Sequence, residues 1–145
     1  MILRFFTVYG PRQRPDLAIH KFAARMETGK PLPIFGDGET ERDYTYVDDI
    51  VAGILGALDY DCSSTEAAPF EICNLANSQP AKLSEMIRML ERATGNRAMI
   101  QRETPQQGDV PLTGADISKA GRPSGYRPQT SLEAGLKKFV EWYRG

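Results

Sequence analysis

Five cations stand on or beside the short loops that follow apolar runs: Arg4, Arg12, Arg14, Lys21 and Arg42. A guanidinium presents a planar fork of donors that matches phosphate and carboxylate oxygens, and one such charge-assisted hydrogen bond contributes roughly 1.5–3 kcal/mol. Loops at strand ends are also where α/β folds expose their ligand-binding groups. A single arginine is ordinarily a solvated surface charge, so the cations point to anion binding without naming the anion.

The signatures of catalysis are missing from the sequence. No glycine-rich strand-to-helix dinucleotide turn occurs, and Gly53-x-x-Gly56 falls inside an amphipathic stretch, where it reads as helix packing. Tyr-x-x-x-Lys, Gly-x-Ser-x-Gly, His-Glu-x-x-His and a P-loop are absent too. His20 is the only histidine and is expected on the polar, solvent side of its helix. With Cys62 and Cys73 it is too little for a metal centre or a disulfide framework. The sequence therefore predicts no catalytic residue and no metal site in these 145 residues.

The formal net charge is −1 and there is no basic run, which argues against nucleic acid or an anionic membrane as partner. No window approaches eighteen apolar residues, and the composition reads as cytoplasmic. A hydrophobic content of 41% suffices for one core.

The elements that would position the cations follow from periodicity. Ile2 to Phe6 reads as a buried strand ending at Tyr9-Gly10-Pro11. Pro15 and Asp16 open a helix with Ile19, Phe22, Ala23 and Met26 on one face and Gly29 as its stop. Leu32 to Phe35 is a strand closed by Gly36-Asp37-Gly38, and Arg42 to Tyr46 alternates like another, with one of Tyr44 and Tyr46 in the core and the other at a pocket. Asp48 and Asp49 are expected to cap the next helix, whose stripe is Ile50, Val51, Ile54, Leu55 and Leu58.

After a polar loop at 60–69, Phe70 to Leu75 is a strand and Leu83, Met86, Ile87, Leu90 and Ala93 mark a helix ending at Gly95. A brief strand lies near Ala98 to Gln101, and Asp116 caps a short helix cut off by Gly121 and Pro123. Thr130-x-x-Glu133 is a capping box for a last helix with Leu132, Leu136, Phe139, Val140 and Tyr143 inward. Helices and strands mix without a regular βαβ repeat, so the fold class is a small mixed α/β domain.

Four stretches add a resemblance. Leu3 to Asp16, Phe35-Gly36-Asp37-Gly38 with Arg42-Asp43-Tyr44-Thr45-Tyr46-Val47-Asp48-Asp49, Gly108-Asp109-Val110-Pro111 through Ala120, and Gly125-Tyr126-x-Pro128 resemble, in order, the C-terminal half of extended short-chain dehydrogenases. These are the NAD-dependent nucleotide-sugar epimerases and dehydratases. The run Arg4 to Asp16 is most similar to UDP-glucuronate 4-epimerases, while UDP-glucose 4-epimerases, decarboxylases and dehydratases share shorter pieces.

The resemblance implies that residues 1–145 form the nucleotide-sugar-binding C-terminal domain, without the Rossmann sheet, and that 1–15 are the last part of the Rossmann portion. It implies a UDP-sugar ligand held by Thr7 at the sugar diphosphate, backbone at Pro33 to Phe35 around the uracil, Arg42 at ribose and phosphate, and Asp109 at the ribose hydroxyls. Arg14 either reads a C5 carboxylate or pairs with Asp16. Phe5 and Phe6 lie near the nicotinamide of an NAD that the intact enzyme binds and this chain alone does not.

Many members carry an arginine where Gln106 stands, which weakens the expected hold on the diphosphate. The missing N-terminal portion would leave the strand at Ile2 to Phe6 with an apolar edge, open to self-association. A stand-alone, non-catalytic binding module is the alternative to a piece of an epimerase.

Overall fold

A computed structural model describes residues 1–59, 71–121 and 125–145. The polar loop expected at 60–69, Cys62, Phe70 at the head of its strand, and the Pro123 and Ser124 corner lie outside the described residues.

Sequence neighbours seldom pair in this fold. β1 (Ile2–Phe5) runs parallel to β6 (Ile72–Leu75), β2 (Thr7–Tyr9) to β5 (Tyr44–Tyr46), and β3 (Leu32–Phe35) to β8 (Ile100–Glu103). β4 (Glu41–Arg42) lies between antiparallel β7 (Ala81–Lys82) and parallel β9 (Leu112–Thr113). Parallel pairing needs long crossovers, and α1 (Ala18–Glu27), α2 (Val47–Leu58) and α3 (Leu83–Thr94) supply them, before the short α4 (Ser118–Gly121) and α5 (Leu132–Arg144) close the chain. The result is a mixed α/β arrangement of small sheets.

The main core follows the expected stripes. Ile19, Phe22, Ala23 and Met26 of α1, Met86, Ile87 and Leu90 of α3, and Leu132, Leu136, Phe139 and Val140 of α5 are buried together around Tyr9, Tyr44 and Tyr46. A second cluster joins Ile50, Cys73, Leu75, Ala120 and Tyr126. Gly53 belongs to packing, as its helical setting suggests: a Cβ there would stand 2.7 Å from the Tyr126 ring and 2.8 Å from Leu75.

Several local expectations shift. α1 begins at Ala18 with Leu17 as its N-cap, because Pro15 and Asp16 are spent in a turn closed by the Leu17 N–H donating to the Arg14 carbonyl. The cap of α5 is Ser131, whose hydroxyl accepts from the Ala134 N–H, and not Thr130. Tyr44, Thr45 and Tyr46 are all buried, with Tyr46 in the core, while Tyr44 also borders a cavity as the alternation suggested. β1 is a strand but not a buried one: with β6 as its one partner among the described residues, Ile2 is 50% and Phe5 49% exposed. On α2 only Ile50 and Ile54 of the stripe turn inward, and Val51, Leu55 and Leu58 stay exposed because no described element covers that side.

His20 is not the solvated residue its position suggests. Its ring packs edge-on against Phe139, Trp142 and Tyr143, and Nδ1 lies 3.1 Å from the Gln13 carbonyl. α5 bends its aromatic end over α1, a contact across more than a hundred residues that no helical period contains. No helix among the described residues is long and apolar enough to cross a membrane.

Candidate functional site

β3, β4 and β5 end beside one another, and their ends frame a trough. Pro33 and Phe35 come from β3, Arg42 from β4 and Tyr44 from β5, and with Asp109 and Gln106 from the loop before β9 they line a cavity of about 320 Å³. A neighbouring hollow of about 610 Å³ shares Phe35, Gln106 and Asp109 and adds Gly36, Asp37 and Arg102. On the other side a hollow of about 190 Å³ joins Thr7 and Gln13 to Arg42 and Tyr44. Phe35 presents an exposed aromatic ring at the border of the first two.

Arg42 is the centre of this geometry. The Glu41 N–H donates to the Pro111 carbonyl at 2.8 Å, which draws the loop alongside β4. The Arg42 guanidinium then donates through Nη1 to the carbonyls of Glu41 and Val110, both at 2.8 Å, and through Nη2 to the Asp109 carboxylate. Arg42 and Asp109, expected to meet different parts of a ligand, are thus paired with each other. The pair fixes the fork at the cavity wall and leaves part of its five-donor capacity for an anion.

Beneath it lies a carboxylate that spacing did not single out for a role. Asp43 is fully buried and accepts the N–H groups of Asn77 at 2.9 Å, Ser78 at 3.0 Å and Ala115 at 3.2 Å. Burial pushes its carboxyl above the ordinary value of 3.8, and the three N–H groups pull it partway back. Its own carbonyl accepts from the Thr7 N–H. Asp43 thereby ties β2, the 77–78 turn and the segment between β9 and α4 to the end of β4, where Arg42 stands. The Tyr44 phenol is pushed up to about 12 by burial and stays neutral, a hydrogen-bonding group rather than a base.

Of the residues expected in a site, Pro33, Phe35, Arg42 and Asp109 share one cavity and Thr7 the adjoining one. Arg14 lines none of the three hollows; its side chain is 73% exposed and pairs with Asp16 at 3.1 Å, and Asp16 itself borders the central cavity. Phe5 and Phe6 stand apart, at the end of β1.

Asp49 does not cap α2. Its carboxylate accepts from the Gln129 and Thr130 N–H groups, both at 3.0 Å, anchoring the approach to α5. Arg102 was missed, because its place opposite Ile34 becomes visible only once β3 and β8 are known to pair. Among the described residues no group of three His, Cys, Asp or Glu could hold a metal.

The model of the NAD dependent epimerase/dehydratase family matches residues 1–73. UDP-glucuronate 4-epimerase 2 of Arabidopsis thaliana is 46% identical over 99% of the chain and 36% of its own length. The crystal structure of UDP-glucuronic acid 4-epimerase from Bacillus cereus, in complex with UDP-glucuronic acid and NAD, superposes with a TM-score of 0.88 at 40% identity, over 99% of this chain and 44% of that one. UDP-glucose 4-epimerase from Thermotoga maritima, with UDP-glucose, gives the same TM-score at 36% identity, over 98% and 45%. The chain thus spans 36% to 45% of the length of these three relatives.

Proposed function

This chain belongs to the NAD-dependent epimerase/dehydratase family, and from that premise we propose that it is the nucleotide-sugar grip of a UDP-sugar 4-epimerase, with UDP-glucuronate as the sugar. The observation that carries the reading is the trough in which Pro33, Phe35, Arg42 and Asp109 converge from three separate segments. Phe35 offers a face for a flat base. The Arg42 fork suits a phosphate oxygen, and the Asp109 carboxylate accepts from a vicinal diol. Thr7, in the adjoining hollow, lies where the sugar end of such a ligand extends.

In this reading the domain works through binding energy. It holds the part common to every UDP-sugar, so that the sugar is oriented for reaction at C4, and holding a reactant in place accounts for much of catalysis. NAD in the intact enzyme supplies hydride exchange. This chain's residues offer it the apolar rings of Phe5 and Phe6 but no Gly-x-Gly-x-x-Gly turn between a strand and a helix to cradle its pyrophosphate. In this reading the catalytic tyrosine and the dinucleotide-binding turn belong to a portion outside these residues, which agrees with the chain's spanning only 36% of the Arabidopsis relative's length.

Titration calorimetry of the 145-residue chain tests the grip. UDP binds, NAD gives no saturable heat, and Arg42→Ala weakens UDP about 10-fold, as losing one charge-assisted contact does. Unchanged UDP affinity in Arg42→Ala, or a stoichiometric NAD complex with the chain alone, would contradict this division of labour.

Arg14 is the residue proposed to distinguish glucuronate. Its exposed guanidinium is held by an equally exposed Asp16, a contact of small net strength that a substrate carboxylate can displace. In a chain joined to an N-terminal Rossmann half, Arg14→Ala lowers kcat/KM for UDP-glucuronate about 10-fold and leaves UDP-glucose nearly unchanged. Equal loss on both sugars would favour UDP-glucose as the substrate.

A further inference from the structure

We propose that Lys21 is the second cation of the trough and that it recognises the diphosphate; this rests on the trough's being a UDP site. Four charged residues border the central cavity: Asp16, Lys21, Arg42 and Asp109. Three have their counterions inside the protein. Asp16 is paired with Arg14, and Asp109 with Arg42. Arg42 also donates to two backbone carbonyls, so it reaches an incoming anion already committed to three acceptors.

Lys21 differs from these three. It stands in α1 and lines the same cavity as Arg42, Pro33 and Phe35, and among the described residues its ammonium makes no ion pair or hydrogen bond. Its neighbours Phe22 and Ala23 are buried in the core, which fixes the backbone from which the side chain extends.

A diphosphate carries more negative charge than one partly occupied guanidinium can neutralise. Gln106, also in the lining, adds hydrogen-bonding capacity without charge. Arg102 lies in the outer hollow and donates to the Gly36 carbonyl. Lys21 is therefore the cation whose charge the cavity leaves unbalanced. An ammonium on a flexible stem suits the task, since it follows either phosphate as a point charge while Arg42 fixes direction through its fork. Being exposed, it acts in a salt-dependent way.

The test uses the 145-residue chain and its Lys21→Gln and Lys21→Arg variants, titrated with UDP and with uridine at low and high salt. The expected result is about a fivefold loss of UDP affinity in Lys21→Gln at low salt, shrinking as salt rises. Uridine affinity is unchanged and Lys21→Arg restores UDP binding. Equal UDP affinity in wild type and Lys21→Gln overturns the role of Lys21 and leaves the site reading standing. A parallel loss for uridine does the same, since it would mark a structural effect. Failure of the wild-type chain to bind UDP at all would overturn the site reading and, with it, this inference.

Discussion

Asp43→Ala should cost about 3–5 kcal/mol, the largest effect of any single substitution considered, because three backbone donors lose their shared acceptor in a place water does not reach. Each stranded N–H forfeits roughly 1–3 kcal/mol, and part of the sum is returned because the carboxylate's own burial is unfavourable. Against a total stability of about 5–15 kcal/mol for a domain, the variant stands at the edge of folding. Asp43→Asn keeps the shape but turns an amide N–H toward one of the three donors, so its cost is smaller.

The two variants also separate in pH. The folded-state carboxyl titrates above its ordinary 3.8, so between that value and the raised one the folded protein binds more protons than the unfolded chain. Its contribution to stability is full below the window and declines as pH rises through it. Chemical denaturation of the wild type and Asp43→Asn across mildly acidic pH checks this. The wild type loses more stability than the variant over that range, and parallel pH profiles would remove Asp43 from the account.

Gly135→Ala is the second large effect, and its sign is the point of interest. In a helix interior alanine exceeds glycine by about 1 kcal/mol, so propensity alone predicts stabilisation. Here a Cβ would stand 2.8 Å from Tyr9 Cζ and 2.9 Å from Tyr46 Cδ2, both in buried rings with no room to retreat. Overpacking of that kind costs about 1–3 kcal/mol. It would also disturb the Tyr9 hydroxyl, which donates to the Leu132 carbonyl at 3.2 Å. The expected net result is a loss of about 2 kcal/mol, seen as a lower denaturation midpoint. A gain in stability would mean that α5 sits farther from β2 than the structure places it.

These two sites show what sequence could and could not reveal. The faces of α1, α3 and α5 are written in the 3.6-residue period, and Met26, Leu90 and Leu136 were found where it puts them. Arg42 was legible as a candidate by residue type, and Pro33, Phe35 and Asp109 by resemblance, before the cavity that joins the four was seen.

What stayed hidden depends on distant partners. Asp43 reads as one more polar residue until Asn77, Ser78 and Ala115 close on it. His20 looks solvated until α5 arrives. Val51, Leu55 and Leu58 read as core because a helical period reports an apolar face, not whether anything covers it.

The central claim, that the trough between β3, β4 and the loop before β9 holds a UDP moiety, is most directly tested by titrating the isotopically labelled 145-residue chain with UDP and following its backbone amides by nuclear magnetic resonance. The account predicts saturable shifts concentrated at Phe35, Gly36, Arg42, Gln106 and Asp109, with the β1 and β6 amides unmoved. Saturable shifts centred elsewhere, or none at UDP concentrations that saturate its relatives, would contradict it.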